Sequence, residues 1–247
     1  AESRKLTVNY DESLGTVQMG TKSITSGAAN TVALGDTCVL TAKADEEDFV
    51  FLDGWYDTEG NCLSEEEEYS FSVEGDTTIT AKFQLLPWED LNVDLAETGI
   101  SKLATLAKNR WSKQTDGTLM PGNKGIGNSV SNLLVEAATD GVLTFRYKTS
   151  SESGWDILLY SKSRPISTKN YDKADNYSSK ADFSGEHDWT SATIPVTAGE
   201  KIYFAYRKDS SGDRGGDCVW LRDLKVANGT VNISAVSSNA AYGTVSG

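Results

Sequence analysis

The sequence is poor in the residues that carry metal and redox chemistry. Its 247 residues include three cysteines and one histidine. Three cysteines are too few for a disulfide framework and leave at least one thiol unpaired. Zinc needs cysteine and histidine ligands clustered at short spacing, which these scattered residues do not supply. Cys38 lies on the inward side of a predicted strand, where it either pairs with Cys62 or stays buried as an unpaired thiol.

Long apolar runs and basic clusters are also missing. No stretch approaches the about 18 apolar residues that a membrane-spanning helix requires, so none is predicted. Residues 1–85 hold 5 Lys/Arg and 17 Asp/Glu, whereas residues 86–247 hold 18 and 19. The net charges of −12 and −1 sum to −13. This balance excludes the broadly basic surface of a nucleic-acid-binding protein.

Catalytic motifs are absent as well. The sequence contains no GxSxG, HExxH or nucleophile–base pairing, and the glycine-rich stretch 122–129 lacks the GK[ST] ending of a phosphate-binding loop. His187 precedes Asp188 in a turn pattern, GEHDW, that is typical of a surface histidine. We therefore expect that the protein is not an enzyme. Paired carboxylates for glycoside hydrolysis remain the catalytic alternative, because their separation is a property of the fold.

Helical periodicity is nearly absent, and alternating apolar and polar residues bounded by Gly, Asn, Asp and Ser predict an all-β protein. We predict a small β-repeat domain at 1–85, a jelly-roll β-sandwich at 86–226 and the first hairpin of a second repeat at 227–247. Pro87 and a change in composition mark the first boundary. Only residues 95–111 show helical spacing, which predicts one or two turns of helix.

The end of the chain repeats its beginning. Residues 231–247 match residues 6–20, and GTV recurs at 15–17 and 243–245. Repeats of this kind indicate tandem units, and the chain begins at Ala1 without an initiator Met. We expect a piece of a longer protein whose tail pairs with a neighbouring unit or molecule, because two strands alone are marginal in water.

Two acidic runs fall between predicted strands of the first domain. They are Asp45–Asp48 and Glu65–Glu68. Like charges at such close spacing repel each other, so both runs are expected in solvated loops.

The first 85 residues carry the motifs LTVNY…GTV, DTCVLTAKA, FVFLDGWYDTEG and YSFSVEGDTTITAKF. Together these resemble the divergent bacterial surface repeats related to the internalin B-repeat. The resemblance implies a small β module that occurs in strings on secreted or wall-attached proteins and serves for spacing. It also implies that Trp55 is a core residue.

The middle of the chain resembles the jelly-roll modules of adhesins and carbohydrate-binding proteins. The motifs are GVLTFRYKTSSESGWDILLY and GEHDWTSATIPVTAGEKIYFAYRKDSSGDRGGDCVWLRDLKV. The same order of strands serves sugar-binding modules, adhesin domains and inert spacers, so the fold alone does not separate them.

Sugar recognition needs flat aromatic faces and nearby polar groups. The segment from Ser161 to Asp188 is long and rich in Ser, Lys, Asp and Asn, and loops of this length are usually functional or mobile. Trp155 and Trp220 are expected in the core, since each lies in a predicted strand. The predicted ligand-binding residues are Tyr171, Asp172, Asp175, Asn176, Tyr177 and Trp189.

Calcium is the ion that acid-rich loops would suit, because it takes six to eight oxygen ligands. The stretch DSSGDRGGD places Asp209, Asp213 and Asp217 at steps of four, with glycines between them. Solvated turn carboxylates are the alternative. A second predicted set brings Glu89, with Asp90 and Asp94, from the entry of the sandwich to Asp223 near its exit.

These observations favour a non-catalytic module of a bacterial cell-surface or secreted protein. The expected partner is a glycan, bound by the jelly roll while the acidic repeat acts as a spacer. Two alternatives stay open: a purely structural stalk, or an adhesin domain that binds a host surface protein. The first predicts no exposed aromatic side chain in a concave site. The second predicts binding that free sugars do not affect.

Overall fold

The computed structural model describes residues 2–211 and 214–227. The chain is all-β, as predicted, and the described residues contain no α-helix. Two 3₁₀ turns, Tyr171–Lys173 and Tyr177–Ser179, interrupt the longest connection. No helix among the described residues is long and apolar enough to cross a membrane. The predicted repeat hairpin at 227–247 falls outside the described residues except for Ala227.

The first unit consists of nine strands in two sheets. One sheet has the order β4-β1-β9-β6-β7 and the other β3-β2-β5-β8. Period-two patterns bury Leu6 and Val8 on β1 and Ile79, Ala81 and Phe83 on β9. The strands are β1 (Ser3–Asn9), β2 (Gly15–Met19), β3 (Lys22–Ile24), β4 (Ala29–Ala33), β5 (Thr37–Ala44), β6 (Val50–Tyr56), β7 (Cys62–Ser64), β8 (Glu68–Ser72) and β9 (Thr77–Leu85).

Trp55 on β6 is fully buried in this first core, as the resemblance to the surface repeats implies. Its indole N–H donates to the Glu66 carbonyl at 2.9 Å, so the polar atom is satisfied without reaching solvent. All three cysteines are unpaired: Cys38 and Cys218 are buried, and Cys62 is exposed. The Cys38–Cys62 bridge is therefore wrong, because the two thiols lie on strands of different sheets.

The second unit is a sandwich of two five-stranded sheets. Their orders are β10-β11-β14-β18-β16 and β12-β13-β19-β15-β17. Inward-facing apolar residues of both sheets form its main core, which includes Phe145 and Phe204. The strands are β10 (Trp88–Asp90), β11 (Ile100–Leu106), β12 (Ser112–Lys113), β13 (Leu119–Met120), β14 (Ser129–Ala137), β15 (Gly141–Ser150), β16 (Ile157–Ser161), β17 (Glu186–Val196), β18 (Lys201–Lys208) and β19 (Cys218–Ala227).

The helix predicted within 95–111 is wrong, because Ile100–Leu106 forms strand β11. This strand is covered on both sides. Leu103 packs into the core of the second unit, whereas Leu106 packs into the core of the first. Burial on both faces removes the alternation that normally identifies a strand, and the remaining apolar pattern is also compatible with a helix.

The run Asp45–Asp48 is not the solvated loop that was predicted. Asp48 is only 6% exposed. Its carboxylate accepts hydrogen bonds from the Thr168 backbone N–H at 2.8 Å and from the Thr168 hydroxyl at 3.1 Å, and the Lys108 ammonium lies 3.8 Å away. These partners belong to the second unit, so the run joins the two units.

Glu46 completes this contact. Its carboxylate pairs with the Arg164 guanidinium at 2.6 Å and accepts a hydrogen bond from the Ser167 hydroxyl. We call Glu46, Asp48, Arg164, Ser167 and Thr168 the acidic junction. Donors from a segment about 120 residues away in sequence offset the repulsion within the run. The second run, at 65–68, is exposed as predicted.

Candidate functional site

Two of the predicted ligand residues fasten the long segment to the sandwich. Asn176 is buried; its side-chain oxygen accepts from the Tyr160 N–H at 2.9 Å, and its amide donates to the Leu158 carbonyl at 3.0 Å. The Asp175 carboxylate accepts from the Lys162 N–H at 2.8 Å. These bonds satisfy backbone groups of the sheet-edge strand β16 and of Lys162, the residue after it, and they use both the oxygen and the nitrogen of the Asn176 side chain.

The two predicted tyrosines lie next to each other above the same sheet. The rings of Tyr171 and Tyr177 meet edge to face, with centroids 5.7 Å apart. The Arg207 guanidinium stacks 4.0 Å from the Tyr171 ring centroid. Asp172 pairs with Lys173 at 2.9 Å on the exposed side of the segment. The segment is therefore packed against β16 and β18 and includes its own small apolar cluster.

Trp189 is not part of that cluster, because it lies on the other sheet. It projects from β17 on the outer face of the sandwich, where it forms a row with Lys148 of β15 and Trp220 of β19. Lys148 and Trp220 are direct cross-strand neighbours. A cavity of about 550 Å³ lies over this row. We call it the tryptophan groove, and its lining residues are Gln114, Thr115, Asp116, Thr118, Met120, Lys148, Trp189 and Trp220.

One side chain contacts the Trp189 ring, and two others fix its backbone. The Arg222 guanidinium carbon lies 4.0 Å from its ring centroid, which is a cation–π contact. Arg146 donates to the Trp189 carbonyl at 3.1 Å, and Asp188 accepts from its N–H at 2.8 Å. Both Trp189 and Trp220 are half-buried, so each leaves ring surface available to a ligand.

The hairpin between β12 and β13 forms the polar wall of the groove. Asp116 accepts hydrogen bonds from the Thr118 N–H at 3.0 Å and its hydroxyl at 2.7 Å. These bonds, together with the charge of Arg222, lower the pKa of Asp116. Gln114 donates to the Ser112 hydroxyl at 2.9 Å. The wall thus presents an ionised carboxylate and an amide beside two tryptophan rings.

Sequence reasoning placed Trp220 in the core, and this is wrong. Its neighbours Val219 and Leu221 are fully buried. Because side chains alternate between the two faces of a strand, Trp220 lies on the outer face. That alternation was visible in CVWLRDL and was the signal that could have identified the groove.

Trp155 was also predicted to be a core residue, but it is 56% exposed. Strand β16 begins only at Ile157. Trp155 belongs to the preceding turn, where its N–H donates to the Glu152 carbonyl at 3.3 Å. The alternation of Trp155 with Ile157 and Leu159 therefore predicted a strand that begins two residues earlier than β16 does.

The first predicted calcium loop is only partly described, because Asp213 lies outside the described residues. Asp217 is buried and forms an ion pair with the buried Lys208; it also accepts from the Gly125 N–H at 2.6 Å. Asp209 accepts from the Ser211 N–H at 2.9 Å. The Lys208 ammonium thus already balances the carboxylate that calcium would use.

The residues of the second predicted calcium set do not all come together. Glu89 pairs with Arg110 at 2.5 Å, and Asp90 is exposed. Asp94 and Asp223 line one shallow cavity, where Asp223 lies 3.5 Å from Arg222. Within residues 2–211 and 214–227, no group of three or more His, Cys, Asp or Glu side chains is arranged to hold a metal ion. Calcium binding stays a prediction.

A larger cavity of about 670 Å³ lies between the two units. Its walls are mainly apolar and include Phe49, Trp88 and Leu106. Its guanidinium group, from Arg164, is already paired with Glu46 in the acidic junction. In the tryptophan groove, the Lys148 ammonium lies 3.6 Å from the Asp188 carboxylate, and two tryptophan rings lie beside it.

Comparisons with known proteins give weak likenesses. No protein family model and no curated protein matches the chain. The secreted serine protease VesC from Vibrio cholerae has a TM-score of 0.41 at 13% identity, covering 92% of this chain and 43% of that chain. The K3 cleaved adhesin domain of Lys-gingipain from Porphyromonas gingivalis w83 has a TM-score of 0.32 at 14% identity, covering 58% of this chain and 98% of that chain.

A structure described as carbohydrate-binding modules of the beta-sandwich superfamily has a TM-score of 0.28 at 9% identity, covering 92% of this chain and 99% of that chain. The chain spans less than half the length of the Vibrio protease. At TM-scores of 0.41 and below, these likenesses carry no argument about function. The resemblance of residues 1–85 to internalin-type repeats stays a prediction.

Proposed function

We propose that this chain is a non-catalytic, glycan-binding module of a secreted or cell-surface bacterial protein, and that the tryptophan groove is its binding site. The observation that carries the proposal is the row of Trp189, Lys148 and Trp220 beneath an open cavity. The sandwich presents this row, and the first unit acts as a spacer that the acidic junction fixes in place.

The chemistry of the groove fits a saccharide. A pyranose ring has an apolar C–H face that stacks on an aromatic ring, and equatorial hydroxyls that need donors and acceptors. The two half-buried tryptophans supply the aromatic rings for stacking. Lys148 as donor and Asp116 as acceptor supply the hydrogen-bond partners for the hydroxyls. Because the rings lie on different strands of one rigid sheet, the site is largely preorganised, which lowers the entropic cost of binding.

Single saccharide modules of this kind are expected to bind weakly. A millimolar to micromolar dissociation constant corresponds to roughly −4 to −8 kcal/mol. Tandem copies in a parent protein would raise the avidity without changing the groove.

A screen of the full chain against an array of neutral oligosaccharides tests the proposal. Trp220→Ala removes one stacking surface and is expected to weaken binding by about tenfold or more. Thr193→Ala on β17 is the matched control, since Thr193 is exposed on the same strand as Trp189 and does not line the groove. It should bind like the unaltered chain.

Two results would overturn the proposal. The first is selective glycan binding that survives Trp220→Ala and Trp189→Ala alike, which would place the site elsewhere. The second is the absence of any binding by a chain whose circular dichroism and melting are those of a folded protein. That result would favour the structural stalk.

A further inference from the structure

A second aromatic surface lies on the opposite sheet of the sandwich. It consists of Trp155, Lys180, Tyr177, Tyr171 and Arg207, and we call it the Trp155 face. Arg207 projects from β18, and the tyrosines and Lys180 come from the long segment that covers β16 and β18. None of these residues lines the tryptophan groove.

The five side chains form a continuous series of contacts. The Lys180 ammonium lies 5.8 Å from the Trp155 ring centroid and 5.1 Å from that of Tyr177. Tyr177 meets Tyr171 edge to face at 5.7 Å. Arg207 stacks 4.0 Å from the Tyr171 centroid and donates to the Trp155 carbonyl at 2.8 Å. Arg207 is nearly buried and is a positioning residue that joins both ends of the series.

The charge of this surface is not neutralised within the described chain. No carboxylate among residues 2–211 and 214–227 forms an ion pair with Lys180 or Arg207. Lys180 and Arg207 instead lie against aromatic rings, so the Lys180 ammonium can meet an incoming anion without first breaking an ion pair. An anionic ligand group at Lys180 would supply the missing charge.

The exposed ring of Trp155 defines the rest of the ligand. It is 56% exposed, which leaves a flat apolar surface beside an ammonium group. A sugar that carries a carboxylate or a sulfate matches both features, because its C–H face can stack on the indole while its anion reaches Lys180. We infer that the Trp155 face is a second saccharide site, selective for acidic saccharides.

Titration of the full chain with two acidic probes tests this inference. Oligogalacturonides present carboxylates and fragments of chondroitin sulfate add sulfate groups, while methyl-esterified oligogalacturonides serve as the uncharged counterpart. The unaltered chain should bind an acidic probe and lose affinity as salt rises, because the contact is charge-dependent. The methyl esters should bind at least about tenfold more weakly than the free acids.

Two variants locate the site. Lys180→Gln and Trp155→Ala should each weaken binding of the acidic probe by about tenfold. Lys225→Gln removes an exposed lysine from β19 of the other sheet and should leave acidic binding unchanged. Trp220→Ala should also leave it unchanged, which separates this site from the tryptophan groove.

Several outcomes would overturn the inference. One is acidic saccharide binding that both Lys180→Gln and Trp155→Ala leave intact. Another is no binding of either acidic probe by the folded chain at low salt. A third is equally tight binding of polyglutamate that is insensitive to Trp155→Ala, because it would show attraction of any polyanion without ring stacking. Binding of neutral glycans in the groove is measured separately, so each of the two proposed sites can be refuted without refuting the other.

Discussion

Asp156 provides the sharpest test of the energetics of the sandwich. Its side chain is fully buried. One carboxylate oxygen accepts from the Asp209 N–H at 3.0 Å, whereas the other has no hydrogen-bond partner. Burial raises its pKa from 3.8 to about 6, and the nearby charges of Asp209 and Asp217 add to the shift, while Lys208 opposes it. The ionised form is therefore costly at neutral pH.

The direction of the pH dependence follows from this shift. Between about pH 4 and pH 6 the folded chain keeps a proton on Asp156 that the unfolded chain releases, so stability falls as pH rises through this window. Two pKa units correspond to about 3 kcal/mol. Asp156→Asn keeps the acceptor for the Asp209 N–H and removes the charge. It should therefore gain about 3 kcal/mol at pH 7.5 and almost nothing at pH 4.

Thermal unfolding followed by circular dichroism measures the effect. For a domain of this size, about 3 kcal/mol corresponds to a rise in Tm of about 6–12 °C. Asp90→Asn, at an exposed position on β10, is the control and should change Tm little at either pH. A Tm for Asp156→Asn that falls at pH 7.5 would refute the reasoning. It would mean that the attraction of Lys208 outweighs the cost of burial.

Three further predictions concern the first unit, the junction and the cysteines. Trp55→Ala should destabilise the first unit by about 3–5 kcal/mol, measured by urea denaturation, because it empties the centre of that core; a loss below about 1 kcal/mol would contradict this. Asp48→Ala removes the acceptor of the Thr168 N–H and should speed hydrogen exchange at that amide; unchanged protection would show that another group suffices. In the folded chain a thiol reagent should label Cys62 quickly, and should label Cys38 and Cys218 only after unfolding, because both are buried and burial raises their pKa values; rapid labelling of all three would contradict the fold.

Local patterns in the sequence were sufficient for the strands that have one solvated face. The alternation of Leu6 with Val8, and of Ile79, Ala81 and Phe83, identifies β1 and β9 directly. The burial of Trp55 came instead from the resemblance of its motif, FVFLDGWYDTEG, to the surface repeats. For β1 and β9 the information is contained in adjacent residues, so an alternation with a period of two is enough to identify the strand.

Other features depend on partners that are distant in the sequence. The Arg164 guanidinium that pairs with Glu46 and the Lys108 ammonium beside Asp48 are both distant in sequence, and a charge run considered alone suggests only repulsion. Strand β11 loses its alternation because the first unit covers its outer face. The alternation in CVWLRDL could have placed Trp220 on the outer face, but the groove also combines Met120, Lys148 and Trp189 from three other strands with the β12–β13 turn, and these come together only in the fold.

The positions of the two proposed sites have a consequence for binding. The tryptophan groove and the Trp155 face lie on opposite outer faces of one sandwich. A flat glycan surface can contact only one face at a time, so occupying both requires two separate glycan chains. If both sites bind as proposed, the module acts as a cross-link rather than as a tighter single attachment.

The acidic junction strengthens this geometry. It holds the segment 164–168 against the first unit, and the same segment continues directly into Tyr171 and Tyr177 of the Trp155 face. The first unit therefore has two proposed roles: it acts as a spacer for the sandwich, and it supports the loop that carries the second site. Weakening the junction with Asp48→Ala should loosen the Trp155 face while leaving the groove intact, because the groove is lined by the β12–β13 turn and by strands β13, β15, β17 and β19, away from the junction. Acidic-saccharide affinity should fall in that variant, and neutral-saccharide affinity should not; an equal loss of both would show that the two faces are coupled through the core.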